Sequence, residues 1–335
     1  MKILITGSSG FIGSALVEVL ATENFEVIGV DNHSDYYDVS LKKNRLDKNK
    51  EYSSFEHHYL DICDFDSLQK LFYRCKPNIV VHLAAQVGVR YSLENPRSYI
   101  DTNIVGFNNV IQLSKENNVE SFIYASSSSV YGGNTAVPYS TSHNVDHPIS
   151  LYAATKKSNE LIAHSYSHLY GLPTCGLRFF TVYGPWGRPD MAPFIFLKSI
   201  LEGKTININN NGNHKRSFTY VDDITEAIKR LLAIPATPNK EWDSNLPLPN
   251  SSNAPWEIYN IGAGKNVQLM DFIRLLEVKT KIDAKKNFLP IQPGDVLTTD
   301  ADCSDLEEKI DFVPQVSIED GLSKFIDWYR HYYKI

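Results

Sequence analysis

The chain has 335 residues, of which 42% are hydrophobic, 21% charged and 12% aromatic, so its composition is that of an ordinary globular protein. Its length suits one large domain or two domains of medium size. The 33 Lys and Arg residues against 39 Asp and Glu residues give a formal net charge of -6, and no basic tract runs through the sequence. This balance argues against a nucleic-acid partner, although a few arginines still suffice for an anionic ligand.

The sequence also indicates in which compartment the protein works and whether it binds a metal ion. No apolar run approaches the about 20 residues that a helix needs to cross a bilayer, and the N-terminus shows no signal-peptide pattern. The four cysteines are scattered and form no CxxC pair, which favours buried thiols in a reducing compartment. His57 and His58 lack a second ligand pair at metal-binding spacing. We therefore predict a cytoplasmic protein with no membrane partner and no metal site.

Strand-like and helical stretches alternate along the first half of the chain. Residues 2–6 form a short β-branched run, residues 11–20 show the apolar spacing of a helix, and a second strand over 26–30 ends at Asp31. Further strands are predicted over 79–83, 121–125 and 174–180, and amphipathic helices over 66–74, 102–117 and 152–170. This alternation predicts an α/β fold with a Rossmann-type, doubly wound parallel sheet.

The sequence changes in character after residue 180. Prolines crowd the stretch 185–193, and 235–255 has the composition of a loop rich in Pro, Asn and Ser. We predict a dinucleotide-binding domain over 1–180 and a smaller, less regular domain over 181–335. A helix near 221–232 is expected to return to the first domain.

Gly7, Gly10 and Gly13 form a GxxGxxG turn between the first predicted strand and helix. Glycines at such a turn let the backbone approach a pyrophosphate, which binds the N–H groups at the start of the helix. A tight turn alone also explains such a triplet, but Asp31 is placed to accept hydrogen bonds from both hydroxyls of an adenosine ribose. Because a carboxylate repels a 2′-phosphate, we predict NAD rather than NADP. The alternative for Asp31 is a surface acid that closes the strand.

Four serines, 126–129, follow the apolar run 121–125. They form either a solvated turn or a row of hydroxyl groups that faces a ligand. Downstream, Tyr152 and Lys156 share one face of a predicted helix that Ser150 is placed to cap. A nearby ammonium and a positive nicotinamide ring both favour the phenolate that a tyrosine base requires at neutral pH.

Together these features resemble the extended short-chain dehydrogenase/reductase superfamily, which carries a Ser–Tyr–Lys triad. Within it, the sequence is similar to the UDP-glucuronate 4-epimerase family over nearly the whole chain. The resemblance rests on the segments SDYYDVSLKKNRL (34–46), HLAAQVGVRYSLENP (82–96), ASSSSVYGG (125–133), RFFTVYGPWGRPDMA (178–192), KRSFTYVDDI (215–224) and PGDV (293–296), which occur in the expected order.

The resemblance implies roles for individual residues. The implied catalytic set is Ser127, Tyr152 and Lys156, whereas Ser126 is interpreted as structural. The residues implied in binding a UDP-sugar are Arg90, Ser127, Ser128, Ser129, Thr181, Arg188, Arg216 and Asp295. The residues implied in binding NAD are Gly7, Gly10, Phe11, Ile12, Gly13, Asp31, Asn32, Asp61, Ile62, Leu83, Ala84, Ala85, Asn103, Tyr152 and Lys156.

On the sugar side, Ser127 is expected to hydrogen-bond the 4-oxygen of the hexose. Ser128, Ser129 and Thr181 are expected near C5, where small hydroxyl groups suit a carboxylate. The related UDP-galactose 4-epimerases carry Ala-Thr in place of Ser128-Ser129 and Asn in place of Thr181.

On the nucleotide side, Arg188 and Arg216 are expected to clamp the diphosphate, because a guanidinium forks onto phosphate oxygens. Asp295 is expected to meet the uridine ribose. Arg90 is expected to help hold the hexuronate, with a surface ion pair as the equal alternative.

The resemblance implies an NAD-dependent 4-epimerase that interconverts UDP-glucuronate and UDP-galacturonate for polysaccharide biosynthesis. In the implied reaction, Tyr152 takes the proton from O4 while a hydride moves from C4 to NAD⁺. The transient 4-keto sugar then rotates, and NADH returns the hydride to its other face. NAD is thus tightly bound and regenerated in each turnover. The alternatives are epimerisation of UDP-glucose or UDP-N-acetylglucosamine, decarboxylation or dehydration of the substrate, and a non-catalytic NAD-sensing protein. The superfamily also implies a homodimer, formed through the helices near 102–117 and 152–170.

Overall fold

A computed structural model describes residues 1–291 and 298–335 of the chain. The strands are β1 (Lys2–Thr6), β2 (Glu26–Asp31), β3 (Phe55–Tyr59), β4 (Ile79–His82), β5 (Ser121–Ser127), β6 (Thr174–Phe179), β7 (Thr181–Tyr183), β8 (Thr205–Ile208), β9 (Lys215–Tyr220), β10 (Trp256–Ile261), β11 (Asn266–Gln268), β12 (Lys285–Phe288) and β13 (Thr298–Thr299). The α-helices are α1 (Phe11–Thr22), α2 (Val39–Asn49), α3 (Phe65–Cys75), α4 (Tyr91–Glu94), α5 (Pro96–Ile100), α6 (Phe107–Glu116), α7 (Leu151–Tyr170), α8 (Ala192–Leu201), α9 (Val221–Leu231), α10 (Leu269–Thr280), α11 (Ser304–Ile310) and α12 (Ile318–Tyr333).

In the part of the chain that the structure describes, seven strands form the central sheet in the order β10-β6-β5-β4-β1-β2-β3. Every neighbouring pair in this sheet is parallel. The chain reverses its direction of growth between β1 and β4, which creates a crevice at the carboxyl ends of these strands. The predicted Rossmann-type parallel sheet is therefore confirmed.

The sheet is buried on both faces, because successive side chains of a strand point to opposite sides. Ile3 and Ile5 of β1 pack in one apolar cluster, which also contains Leu16 of α1 and Ile228 of α9. Leu4, between them, packs in a second cluster with residues of α3, α6 and α7. One layer of helices thus covers each face of the sheet.

The second half of the chain contributes to both regions of the molecule. Helix α9 packs against α1, and β10 forms the outer strand of the central sheet beside β6. The remaining elements build a third apolar cluster, in which α8, α10 and α12 pack around β8 and β9. The division of the chain into two domains at residue 180 stays a prediction. Both α9 and β10 come after this residue, yet they belong to the central sheet and the helices that cover it. Across 1–291 and 298–335, no helix combines the length and the apolarity that crossing a lipid bilayer requires.

Candidate active site

The predicted site residues meet around one cavity of about 640 Å³. It lies at the carboxyl ends of β1, β2, β4 and β5 and is closed on the other side by β7 and the loop 188–191. With the exception of Asn103, every described residue that the resemblance implied in binding NAD or a UDP-sugar lines it. Asp295 lies outside the described residues.

The glycine turn fits a pyrophosphate for steric reasons. A Cβ atom on Gly13 would lie 2.1 Å from the Gly7 carbonyl oxygen, and one on Gly7 would lie 2.8 Å from the Ala84 nitrogen. Helix α1 begins after Gly10, and no side chain caps its first N–H groups. These donors therefore point towards the cavity without a partner from a side chain, as an anion-binding helix terminus requires.

Asp31 ends β2 with its carboxylate fixed by two backbone groups. Oδ2 accepts a hydrogen bond from the Ser9 nitrogen at 3.0 Å, and Oδ1 accepts one from the His33 nitrogen at 2.8 Å. Each oxygen keeps a further lone pair for a ribose hydroxyl. Next to it, Asn32 donates to Asp61 at 2.8 Å at the cavity wall. The residues present thus fit an adenosine dinucleotide whose ribose carries free hydroxyl groups.

Asn103 differs from the other residues that were predicted to bind NAD. It is buried in a π-helical turn, Asp101–Gly106, where α6 was expected to begin. Its Oδ1 accepts from the Gln86 nitrogen at 2.8 Å, and its Nδ2 donates to Thr155 Oγ1 at 3.0 Å. The side chain therefore joins the loop after β4 to α7, and does not line the cavity.

The serine row is divided between the core and the cavity. Strand β5 continues to Ser127, two residues beyond the predicted end. Ser126 donates to Glu160 Oε1 at 2.6 Å in the interior. Ser127 faces the cavity, where its side chain accepts from the Ser129 nitrogen at 3.1 Å and lies beside Tyr152, whose pKa it lowers.

Helix α7 presents Tyr152 and Lys156 to the same cavity. Ser150 caps the helix by accepting from the Ala153 nitrogen at 3.1 Å, as the sequence suggested. Lys156 Nζ donates to the Ala125 carbonyl at 2.8 Å. Burial lowers the pKa of Lys156 to about 7.

The protonation of Tyr152 reflects opposing effects. Burial raises the pKa of Tyr152, whereas the Ser127 hydrogen bond and the charge of Arg188 lower it. Sequence reasoning named Lys156 and nicotinamide as the cations that act on this phenol, and the structure adds Arg188. The chain alone thus keeps Tyr152 protonated near neutral pH, and further positive charge is needed to favour the phenolate.

The opposite wall of the cavity carries the groups that were expected to meet the sugar and the diphosphate. Ser128 and Ser129 begin a short 3₁₀ turn after β5, and Thr181 begins β7. Arg188 pairs with Asp190, with Nη2 and Oδ2 2.5 Å apart. Arg216, on β9, reaches the same cavity.

Sequence reasoning missed several polar residues of the cavity wall. Lys42 is buried, and its Nζ donates to the Ser34 carbonyl at 2.8 Å and to Ser34 Oγ at 2.9 Å. Tyr36 donates to Asp190 at 3.2 Å. All four residues line the cavity. The segment 34–46 was singled out by the resemblance, but the sequence offered no physical reason for a particular role.

The fold and the cavity together define a Rossmann-type enzyme that binds a dinucleotide and carries a Ser–Tyr–Lys set. The chain belongs to the NAD dependent epimerase/dehydratase family, whose profile matches residues 3–274. The predicted cofactor, NAD, and the predicted family are therefore confirmed.

The chain is similar over its full length to several known proteins. It is 57% identical over 334 residues to Protein CapI of Staphylococcus aureus, with 100% of both chains covered. It is 43% identical over 340 residues to a probable UDP-glucuronate 4-epimerase of Rhizobium meliloti, with 100% of this chain and 98% of that one covered. Its structure matches that of the UDP-glucuronic acid 4-epimerase from Bacillus cereus in complex with UDP-glucuronic acid and NAD, with a TM-score of 0.87, 33% identity and coverage of 99% and 100%.

Proposed function

We propose that the chain is a UDP-glucuronate 4-epimerase, which interconverts UDP-glucuronate and UDP-galacturonate. The observation that carries this proposal is that Ser127, Tyr152 and Lys156 line one cavity together with the small hydroxyl side chains of Ser128, Ser129 and Thr181. The epimerases of Rhizobium meliloti and Bacillus cereus support the same substrate, since each is similar over nearly its whole length.

The reaction needs a base beside O4 of the sugar. NAD⁺, when bound, supplies the redox chemistry at C4 and the positive charge of the nicotinamide ring. Tyr152 then takes the O4 proton as phenolate, and Ser127 orients both the phenol and the sugar oxygen by hydrogen bonds. Lys156, held by the Ala125 carbonyl, lies on the same helix face one turn away, and its protonated form would favour the phenolate. After the sugar rotates, Tyr152 returns the proton to O4.

Inversion at C4 requires that the hexose turn over while the nucleotide stays fixed. Arg188 and Arg216 would hold the diphosphate by forked hydrogen bonds, which are strong and directional. Ser128, Ser129 and Thr181 would hold the carboxylate by short hydroxyl groups, without a full counter-charge. The hexose is thus held more weakly than the nucleotide, as rotation demands.

The proposal is tested by proton NMR of the purified protein with UDP-glucuronate and no added cofactor. We expect the anomeric signal of UDP-galacturonate to grow to a stable equilibrium without release of CO₂. A pentose product would contradict the proposed grip on the carboxylate. Turnover of UDP-glucose or UDP-N-acetylglucosamine without turnover of UDP-glucuronate would contradict the substrate.

A variant tests the carboxylate contact directly. Thr181→Val keeps the shape of the side chain but removes a hydroxyl group that would bond to a charged group, which is worth about 1.5–3 kcal/mol. We therefore expect kcat/KM for UDP-glucuronate to fall about tenfold or more. Thr237→Val, at an exposed position outside the cavity, is the matched control and should leave it unchanged.

We also propose that the protein works in the cytoplasm as a homodimer, with an NAD-binding region over 1–180 and a mainly UDP-sugar-binding region over 181–335. Its four cysteines form no disulfide, in keeping with a reducing compartment. On α7, the side chains of Leu161 and Leu169 are 56% and 67% exposed, and a second copy of the chain would bury them.

A further inference from the structure

Arg45 is a charged side chain that is almost completely buried, with 1% of its surface exposed. It lies on α2, which Asn49 ties to α1 by donating to the Ser14 carbonyl at 2.8 Å. Its guanidinium donates to the carbonyl oxygens of Ser9 (3.2 Å), Trp186 (3.1 and 2.5 Å) and Gly187 (3.3 Å) and to the Tyr37 hydroxyl (2.7 Å). A buried guanidinium with this many partners fixes their relative positions.

These partners belong to the two anion-binding parts of the cavity. Ser9 lies inside the glycine turn that cradles the cofactor. Trp186 and Gly187 immediately precede Arg188, the residue proposed to clamp the UDP diphosphate. On the far side of Arg188, Tyr36 donates to Asp190 at 3.2 Å. The segment 36–45 therefore contacts both ends of the loop 186–190, here called the Arg188 loop, and also reaches the glycine turn.

The Arg188 loop needs such support, because its backbone is strained at Trp186. This residue has φ of 62°, a left-handed conformation that bulky side chains rarely adopt. Two N–H groups of Arg45 hold its carbonyl oxygen, and its ring packs against Trp328 and Tyr332, with centroids 5.3 and 5.1 Å away. The loop conformation is thus set largely by Arg45 and by the aromatic residues of α12.

The charge of Arg45 is unusual for a buried group. Within the described part of the chain, no carboxylate forms an ion pair with it, and its acceptors are all neutral. Buried charges are normally compensated by an opposite charge. The diphosphate groups of NAD and of a UDP-sugar would be the nearest anions, because Arg45 contacts both the glycine turn and the residues before Arg188.

We propose that Arg45 is a positioning residue that couples the two binding events, so that bound NAD raises the affinity for the UDP part of the substrate. NAD fixes the glycine turn, Arg45 transmits that position to the carbonyls before Arg188, and Arg188 is then placed for the diphosphate. The coupling is reciprocal, as binding linkage requires. It rests on the proposed function only in assigning Arg188 to the UDP diphosphate.

The test is a calorimetric titration with UDP of two forms of the full-length protein, stripped of nucleotide by charcoal or saturated with NAD. We expect wild-type protein to bind UDP about tenfold more tightly in the NAD-loaded form, within the usual range of such couplings. In Arg45→Met the ratio of the two affinities should fall below about 2. Lys43→Met removes an exposed charge from the same helix and should keep the wild-type ratio.

The affinity ratio separates positioning from general stability. If Arg45 had only a structural role, its replacement would lower the unfolding temperature but leave the ratio of the two UDP affinities unchanged. If Arg45→Met does not fold, Arg45→Lys keeps the charge but cannot reach both carbonyl groups at once, and its ratio should also fall. A wild-type ratio retained in the folded variant, or equal UDP affinity in both wild-type forms, would overturn the coupling. Failure of wild-type protein to bind UDP at all would instead overturn the proposed function.

Discussion

Ser126 and Ser127 are neighbours in the chain, but their hydroxyl groups point to opposite sides of β5. Ser126 hydrogen-bonds Glu160, which forms a buried ion pair with Arg178 at 2.9 Å. Ser127 faces the cavity and Tyr152. Because side chains alternate along a strand, a shift of one residue would exchange the two environments. The Glu160–Arg178 pair therefore helps to fix which serine reaches the substrate.

Replacing Ser127 by alanine should lower activity, whereas replacing Ser126 by alanine should lower stability. Ser127→Ala removes a hydrogen bond at the reacting oxygen, so we expect kcat to fall about a hundredfold with little change in stability. Ser126→Ala removes a hydrogen bond to a buried carboxylate, so we expect the free energy of unfolding to fall by about 1.5–3 kcal/mol with kcat nearly unchanged. NMR rates and urea denaturation measure the two effects. The reverse pattern would show that the roles are exchanged.

Lys156 should make stability depend on pH. Burial lowers its pKa to about 7, from the ordinary value of 10.5 that applies in the unfolded chain. Between these values the unfolded state binds more protons, so the contribution of Lys156 to the free energy of unfolding rises with pH, by at most about 1.4 kcal/mol per pH unit. In NAD-free protein, the free energy of unfolding of wild type minus that of Lys156→Met should therefore become more positive from about pH 7.5 to 9.5. Parallel curves for the two proteins would contradict the lowered pKa.

Among the elements, the turn between β1 and α1 has the tightest steric requirement. Gly13→Ala places a Cβ atom 2.1 Å from the Gly7 carbonyl, so the turn must open and the N–H groups must leave the pyrophosphate. We expect NAD affinity to fall at least about tenfold, which corresponds to about 1.4 kcal/mol. Gly133→Ala, whose nearest neighbour would be 3.8 Å away, is the control. NAD content per protomer measures the effect, and full occupancy in Gly13→Ala would contradict it.

The elements with a clear hydrophobic period were predictable from the sequence. The predicted helix 152–170 is observed as Leu151–Tyr170, and the first strand–helix–strand unit also lies where expected. The helix expected over 102–117 begins instead as a π-helical turn, in which Asn103 accepts a hydrogen bond from the Gln86 nitrogen and donates one to Thr155. Such contacts leave no periodic signal in the sequence.

Strand β10 was missed for a similar reason. It follows a long loop rich in Pro and Asn, and it becomes a strand by pairing with β6, which is far away in the chain. In the site, the glycine turn and the Tyr–Lys spacing were readable from the residues, and the family resemblance supplied the remaining roles. The links made by Arg45 were not readable, since they join residues 141 and 142 positions apart.

Helix α7 runs from the active site to an outer surface that carries two exposed leucines. Tyr152 and Lys156 lie on the cavity side of this helix, while Leu161 and Leu169 face outwards. A second copy that covers the outer face would also limit the motion of the catalytic helix. The proposed dimer would therefore contact the helix that carries Tyr152 and Lys156.

Charges on this face should dissociate the dimer. In the double variant Leu161→Glu and Leu169→Glu, four carboxylates would meet in the interface, where like charges without partners are costly. We expect sedimentation analysis to give a dimer for wild type and a monomer for the variant. Leu246→Glu, at a loop position that is 77% exposed, is the control and should stay dimeric. A monomeric wild type, or a dimeric double variant, would contradict the interface.

In the proposed reaction, C4 is oxidised and reduced again by one bound NAD within a single active site. The most direct measurement uses UDP-glucuronate that carries deuterium at C4, incubated with the purified protein in ordinary water. Mass spectrometry and NMR of the product then locate the label. We expect UDP-galacturonate to keep the deuterium at C4 in full. Loss of the label to water would contradict it, because the hydrogen would then have left the sugar as an exchangeable proton.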